Sequence, residues 1–192
     1  QFVKNLPIVS VTQTFPSPLA YGGYVTGGNT ATIKVENTGP GPAESFTLSI
    51  SGLPSDWGIK NIQVTTGGAG TVTWNSTSKA FVIGQVTKAG GTRPVVEFTF
   101  TIGPTGAACP PTTGAEIILF PDYYDECGVS GEPPVVGPIP LSVSTAGLPS
   151  VSMSLTGPRS THANDTGLTY NLSATYNADV SYGDLNFDLV YH

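Results

Sequence analysis

The sequence predicts an all-β fold, an antiparallel sandwich with Greek-key connections. Apolar and polar residues alternate with a period of two along most of the chain, which is typical of strands with one buried face. Clusters of glycine and proline separate these short runs, and no segment has a convincing amphipathic helical pattern. A register that opens near residue 6 opens again near residue 148, which indicates a second, shorter copy of the same kind of β unit.

The strands of the first copy follow from this alternation in chain order. Ala31, Ile33 and Val35 share one face of the first clear strand, with polar residues between them. Runs with the same alternation follow at residues 46–50, 72–74, 81–83, 96–102 and 139–144. Glycine-rich turns separate the runs at residues 22–23, 27–29, 39–42, 67–70 and 90–91. Many short antiparallel strands at this spacing favour an Ig-like sandwich.

The organisation of the chain is predicted in three segments. Residues 1–12 form an N-terminal strand that is a candidate for insertion into a neighbour. Residues 13–147 form the Ig-like β-sandwich, with the boundary near Gly147. Residues 148–192 form a partial second β module or a set of inter-module strands.

The second copy carries apolar strand faces that a few strands cannot cover by themselves. One face holds Leu168, Tyr170, Leu172, Ala174 and Tyr176, and the next holds Leu185, Phe187, Leu189 and Tyr191. Three outcomes are open: the chain is a piece of a longer array, a neighbouring subunit supplies strands, or these strands complete the first module. The residues predicted to mediate assembly are Phe2, Val3, Leu185, Phe187 and Leu189.

Composition excludes several classes of function. Charged residues are 10% of the chain, against about 25% in typical proteins, and the net charge is -6. A nucleic-acid partner would need a basic stripe, which is absent from the sequence. No stretch is long and apolar enough to predict a membrane span. The repeated β architecture, and not these exclusions, is the basis on which we expect an extracellular or cell-surface protein whose partners are copies of itself, neighbouring modules of the same protein, or glycans.

The two cysteines, Cys109 and Cys127, are predicted to form a disulfide. Seventeen residues lie between them, rich in proline at the start. A bridge closing such a loop would stabilise the fold by about 3 kcal/mol in the loop-entropy description. The alternative is two unpaired buried thiols. A zinc site is not predicted, because the cysteines and histidines lack paired ligand spacing.

Three Asn-x-Ser/Thr sequons predict glycosylation sites at Asn75, Asn164 and Asn171. Asn75 falls between two strand runs, Asn164 in a polar stretch, and Asn171 on the polar face of a strand. In a chain this rich in asparagine, serine and threonine, some of these sequons arise by chance.

The densest acidic cluster is formed by Asp122, Asp125 and Glu126. Calcium takes six to eight oxygen ligands, so these carboxylates with loop carbonyls are a candidate Ca²⁺ site, although a solvated loop is the favoured interpretation. No other cofactor is predicted. His162 and His192 lack the context of a catalytic triad, and no opposed carboxylate pair is evident. We therefore expect a protein that is not an enzyme.

One region resembles a known family. The run Val-Glu-Asn-Thr-Gly at residues 35–39, followed by Leu-Pro and a tryptophan within residues 53–57, is similar to the Ig-like repeats of bacterial and archaeal cell-surface proteins known as CARDB and the related domain of unknown function eleven. The acidic run at residues 122–128 is also similar. The second copy departs from the pattern at residues 176–179. The resemblance implies stalks, adhesins, surface layers or filaments, with no shared active site.

The predicted function is a structural subunit of an extracellular filament, surface layer or stalk, assembling by β-strand complementation or as tandem modules. The alternative is a carbohydrate- or ligand-binding adhesin module in which aromatic loop residues make the contacts. Trp57 and Tyr123 are the candidates for that role, whereas the alternation around Trp74 places it in the core. Tyr123 and Tyr124 are adjacent and would point to opposite faces of a strand, which disfavours a single flat platform.

Overall fold

The structure is a computed structural model that describes residues 5–68, 70–106, 112–144, 150–158, 166–167 and 169–177. The chain divides into two compact units, Gln1–Thr145 and Ala146–His192. The division falls two residues before Gly147, where the sequence analysis places its boundary.

The first unit consists of short strands and one helical turn in its described residues. In chain order these elements are β1 (Val9–Thr14), β2 (Leu19–Ala20), α1 (Gly23–Thr26), β3 (Thr30–Asn37), β4 (Ala43–Ser51), β5 (Trp57–Thr66), β6 (Thr73–Asn75), β7 (Ala80–Val86), β8 (Val95–Pro104), β9 (Gly114–Tyr124), β10 (Ser130–Gly131) and β11 (Val136–Ser144).

The strands form two sheets. One sheet has the order β1-β3-β8-β5, and the other has the order β2-β11-β9-β4-β7-β6, with β10 beside β9. All pairs are antiparallel except β2 with β11. The central pairs β3–β8 and β4–β9 join strands that are distant in sequence, as in the Ig fold. The predicted all-β, Ig-like sandwich is confirmed.

The core follows from the period-two alternation. Ala31, Ile33 and Val35 on β3 are fully buried, and the polar residues between them are half-buried on the other face. On β8, Phe98 and Phe100 point into the same core. Burial of these alternate side chains is the main favourable contribution to folding, at about 25 cal/mol per Å² of apolar surface.

The β6–β7 hairpin is a departure from the simplest Ig order. It follows β5 in the chain, yet it extends the opposite sheet, where β7 pairs with β4. Arg93 connects the two sheets near this hairpin. Its Nε donates to the carbonyl of Gly67 after β5 at 2.9 Å, and its Nη1 donates to the carbonyls of Ile83 and Gln85 on β7 at 2.9 and 2.8 Å. Nothing in the local sequence pattern indicates this link, because its acceptors are backbone carbonyls.

The turns predicted around residues 22–23 and 27–29 enclose a short helix instead. Gly22 and Gly27 flank α1 with φ of 75° and 86°, in the left-handed region that glycine adopts without a steric penalty. The four residues between them form one helical turn. This turn could not be predicted from the sequence, because a single turn is too short to show helical periodicity.

The N-terminal strand belongs to its own sandwich. Val11 on β1 pairs with Val35 on β3, and Val9 is buried in the core. The prediction that residues 1–12 insert into a neighbour is therefore wrong for the part that lies in β1, because its apolar side chains are covered by its own unit. Phe2 and Val3 lie outside the described residues.

The second unit is a two-stranded antiparallel ribbon in its described residues, with strands β12 (Ser150–Thr156) and β13 (Asn171–Asn177). Their pairing runs without a register shift from Ser150↔Asn177 to Thr156↔Asn171. We call these two strands the ribbon. It carries the candidate functional site.

Candidate functional site: the apolar face of the ribbon

The ribbon is divided into one apolar and one polar face. Met153 lies opposite Ala174 and Leu155 lies opposite Leu172, and these pairs share one face because they are two positions apart. Among the described side chains, the positions on the opposite face are held by serine, threonine and asparagine alone: Ser152, Ser154, Thr156, Asn171, Ser173 and Thr175.

The apolar face is exposed. Met153, Leu155 and Leu172 are 60%, 54% and 52% exposed, and Tyr170, just before β13, is 50% exposed. An isolated two-stranded ribbon is marginally stable in water, since it buries little apolar surface. Exposed apolar side chains that are adjacent on one face therefore mark this surface for contact with another chain or module.

The ribbon is also electrically neutral. Neither β12 nor β13 contains an aspartate, glutamate, lysine or arginine. A charged partner surface would lose hydration on this face without gaining a counter-charge. The ribbon strands therefore offer no charge that could pair with a charged surface.

One of the two apolar strand faces predicted for the second copy lies mostly within the described residues. Leu172 and Ala174 share a face of β13, as the alternation predicts, and β12 adds Met153 and Leu155 to it. The residues predicted to mediate assembly, Phe2, Val3, Leu185, Phe187 and Leu189, all lie outside the described residues, so their role stays a prediction. The pairing of β12 with β13 could not be predicted, because the sequence of one strand does not specify its partner.

The acidic run begins in β9, which contains Asp122, and continues into a loop that contains Asp125 and Glu126. Asp125 is 3% exposed, and its Oδ1 accepts hydrogen bonds from the backbone amides of Cys127 and Val129, both at 2.9 Å. Asp122 accepts a hydrogen bond from the hydroxyl of Ser130 at 3.3 Å, and Glu126 is exposed. Among the described residues, no three acidic, histidine or cysteine side chains converge on a point that could hold a metal ion. Asp125 closes this loop from within, and the described residues give no support to the weaker candidate, a Ca²⁺ site at Asp122, Asp125 and Glu126.

The predicted disulfide is not supported. Cys127 is an exposed free thiol next to Asp125. Cys109 lies outside the described residues. Exposure of Cys127 also disagrees with the alternative of two buried thiols, because this loop places its side chain in solvent.

Two of the three predicted glycosylation sites are described, and both are exposed. Asn75 ends β6, and its Oδ1 accepts hydrogen bonds from the amides of Thr77 and Ser78 at 3.0 and 3.1 Å. Asn171 lies on the polar face of the ribbon. Asn164 lies outside the described residues. Glycosylation of these asparagines stays a prediction.

The aromatic residues proposed as a sugar platform do not form one surface. Trp57 is 5% exposed, and its indole N–H donates to the carbonyl of Thr112 at 2.9 Å. Tyr123 is half-buried and stacks on Phe46, with ring centroids 6.3 Å apart. The sequence marked these rings as loop residues, whereas Trp57 begins β5 and Tyr123 lies within β9, where strand packing covers them.

A shallow cleft lies beside Trp57 in the first unit. It has a volume of about 310 Å³ and is lined by Tyr24, Trp57, Trp74, Ser76 and Lys79 among others. The ammonium of Lys60 lies 4.5 Å from the ring centroid of Tyr24. Trp74 is half-buried and packs on Phe81, in agreement with its predicted place at the core.

Asp56 directly precedes Trp57 in the chain. Its Oδ2 accepts a hydrogen bond from the amide of Thr112 at 2.7 Å. Burial acts to raise the pKa of Asp56, but the hydrogen bonds from Thr112 and from its own backbone together outweigh burial and hold that pKa below its usual value. A carboxyl group held as a charged acceptor serves as a structural anchor for Thr112.

A buried asparagine explains the run Val-Glu-Asn-Thr-Gly. Asn37 is 1% exposed, and its Oδ1 accepts hydrogen bonds from the amides of Ile8 and Gly39, both at 3.0 Å. Its Nδ2 donates to the carbonyls of Gly41 at 2.8 Å and Val86 at 3.4 Å. Asn37 therefore connects the start of β1, the turn after β3 and the end of β7. The motif in the sequence includes this asparagine but does not indicate its contacts.

No protein-family model and no curated protein sequence matches this chain. Two solved structures are similar in fold. A cohesin module from a family 33 glycoside hydrolase of Clostridium perfringens has 7% identity and a TM-score of 0.48, and the alignment covers 72% of this chain and 98% of that one. AggA, the major subunit of aggregative adherence fimbriae type I of Escherichia coli, has 15% identity and a TM-score of 0.38, with 75% and 99% covered.

Within the described part of the chain, no helix has the length and apolar character needed to cross a membrane. Both TM-scores lie below 0.5. The Ig-like fold is therefore identified from the order of the strands in the two sheets. The chain is an Ig-like β-sandwich followed by a second β unit whose ribbon exposes an apolar face.

Proposed function

We propose that this chain is a non-enzymatic structural module of an extracellular filament, surface layer or stalk, and that its ribbon is covered by another copy or a neighbouring module. The exposed apolar face of the ribbon is the observation that carries this proposal. The resemblance to the CARDB type of surface repeat, which the motif around Asn37 suggests, is part of the same proposal.

The energetic argument concerns the ribbon's own stability. Ordering the backbone of one residue costs about 1–2 kcal/mol, and the ribbon strands have seven residues each. Apolar burial must offset that cost, yet Met153, Leu155 and Leu172 remain more than half exposed. A partner that covers them would supply the missing burial and order the ribbon.

The structural assignments of the conspicuous polar and aromatic residues support the non-enzymatic part of the proposal. Asp125 closes its own loop, Asp56 anchors Thr112, and the indole N–H of Trp57 bonds to the backbone. Each of these groups is engaged in holding the sandwich together. The low fraction of charged residues also reduces repulsion between copies that pack side by side.

The first prediction tests the apolar face in the chain of residues 1–192. The double substitution Leu155→Ser and Leu172→Ser should raise the dissociation constant for self-association by about tenfold or more, because each leucine contributes roughly 1 kcal/mol of burial. Sedimentation velocity over a range of protein concentrations measures this change.

The matched control places its substitutions on the polar face of the same strands. Ser154→Thr with Ser173→Thr should leave the dissociation constant within about twofold, because these side chains point away from the proposed contact. A double leucine variant that associates like the unmodified chain, or an unmodified chain that stays monomeric at all concentrations, would show that the ribbon does not mediate assembly.

The second candidate function is a carbohydrate-binding adhesin module, and the cleft beside Trp57 favours it. Aromatic rings and a lysine at one opening are a chemistry that suits sugars. If the cleft binds glycans, Tyr24→Ala should reduce retention on a glycan array at least about fivefold, whereas Tyr124→Ala, which changes an exposed tyrosine outside the cleft, should not. Equal retention by both variants would contradict this function.

A further inference from the structure

The edges of the two sheets differ in how they are protected. An unpaired strand edge offers free N–H and C=O groups to other chains, and proteins protect such edges with charges, prolines, bulges or short strands. At the edge of its sheet, β5 has two irregularities in its pairing with β8, a lysine at Lys60, and a left-handed residue at Asn61 with φ of 54°. In the other sheet β6 has only three residues, and β11 contains Pro138 and Pro140 and is partly covered by β2.

The edge of β1 lacks these protections. Its six residues, Val-Ser-Val-Thr-Gln-Thr, contain no charge and no proline, and its pairing with β3 runs without a register shift. Among the described residues, no strand pairs with its other side. An edge that is regular, neutral and of this length is suited to accept a strand from another chain.

The hydrogen bonds of β3 show which amides of β1 face outward. The amide of Asn37 donates to the carbonyl of Pro94, on the side of β8, and the amide of Thr38 donates to the carbonyl of Ile8, on the side of β1. In an antiparallel strand, the backbone N–H and C=O groups of successive residues point in turn to the strand on one side and to the strand on the other. The backbone of Ile8 therefore faces β3, and so do the backbone groups of the even-numbered residues of β1. The backbone groups of the odd-numbered residues Val9, Val11 and Gln13 face the free edge.

The ribbon has the same properties. Each of its strands has one side paired to the other and one side unpaired among the described residues, and both strands are neutral, free of proline and regular in register. Their seven residues match the six of β1 in length. In β1 the buried Val9 and half-buried Val11 alternate with the exposed Ser10 and Thr12, as apolar residues alternate with serine and threonine in the ribbon.

We propose that the ribbon of one copy adds edge-to-edge to β1 of a second copy, extending the sheet β1-β3-β8-β5 by two strands. The apolar face of the ribbon then continues the inward row of Val9 and Val11, and its Ser/Thr/Asn face continues the outward row of Ser10 and Thr12. This inference rests on the proposed function and specifies its partner surface. Repetition of the joint from copy to copy generates an open, head-to-tail assembly.

The test changes one amide on the outer edge of β1. Gln13→Pro removes an outward-facing N–H while leaving the bonds to β3, and proline is tolerated at such an edge position. The substitution should raise the dissociation constant for self-association by about tenfold, because one carbonyl of the added strand would then lack a donor on β1. The control Gln13→Thr retains the N–H and should stay within about twofold of the unmodified chain.

A second measurement does not depend on any variant. Amide hydrogen exchange of the unmodified chain, followed by NMR, should slow at Val9, Val11 and Gln13 as the concentration rises through the dissociation constant. Amides of buried strands such as β8 should show no concentration dependence.

The outcomes separate this inference from the proposed function. If the double leucine variant loses association but Gln13→Pro does not, and the Val11 amide exchanges equally fast at all concentrations, the ribbon assembles elsewhere and the β1 joint is wrong. If the double leucine variant associates normally, the proposed function itself fails. Loss of association in both variants, with slowed exchange at Val11, supports the joint.

Discussion

Replacing Asn37 with aspartate is expected to destabilise the sandwich by about 3 kcal/mol or more at neutral pH. The carboxylate retains the acceptor for the amides of Ile8 and Gly39 but loses the donor to the carbonyls of Gly41 and Val86. An ionised oxygen then faces two carbonyl oxygens at a position that is 1% exposed. Urea unfolding monitored by tryptophan fluorescence measures the free energy of unfolding.

The loss should depend on pH in a defined direction. Burial beside carbonyl oxygens raises the pKa of the introduced carboxyl in the folded state above its unfolded value of about 3.9. Because the folded pKa is raised, ionisation of the carboxyl adds no loss of stability below the unfolded pKa. The added loss grows as the pH rises through the folded pKa. Asn37→Ala should lose a comparable free energy without this pH dependence. A loss below about 1 kcal/mol, or equal losses for the aspartate variant at about pH 3 and pH 7, would show that Asn37 is not the link described here.

Replacing Phe81 with alanine is expected to cost about 3–5 kcal/mol of stability. Phe81 is fully buried, and its ring centroid lies 4.9 Å from that of Trp74, 5.0 Å from that of Phe98 and 4.9 Å from that of Phe100. Removing the ring leaves a cavity where both sheets meet, because Phe81 belongs to β7 and the other two phenylalanines belong to β8. Thermal and urea unfolding measure the loss.

The matched control is Phe120→Ala. Phe120 lies on β9 but is 43% exposed, so its removal should cost less than about 1 kcal/mol. Similar losses for the two variants would mean that the aromatic cluster around Phe81 does not dominate the core.

The strands could be predicted from sequence because alternation reports burial directly. Ile33 and Val35 are buried for the same reason that their neighbours are polar: one face of each strand meets the core and the other meets solvent. Glycine marked the places where the chain turns, including Gly22 and Gly27. Those glycines could not reveal α1, since a left-handed residue is compatible with a hairpin or with a helix end.

The sequence pattern does not determine which partner covers each residue. The apolar residues of β1 were assigned to a neighbour, yet Val9 and Val11 contact their own core. Trp57 was a candidate for a sugar-binding surface in the alternative function, yet its indole N–H bonds to Thr112, fifty-five positions away. Asp125 was a candidate calcium ligand, yet it accepts from amides two and four residues onward. In each case the chemistry of the residue fits two kinds of partner, and the sequence does not show which of them lies nearby in the fold.

Local pattern by itself determined that this protein is built of short strands with one apolar side, and that residues 171–177 would present such a side. That much is decided by alternation, since side chains of a strand must point to opposite faces. Only the tertiary structure decided that β1 closes its own sheet, that β12 pairs with β13, and that Asn37 joins three segments. Those contacts depend on which strands lie side by side, and this is set by the packing of the whole core.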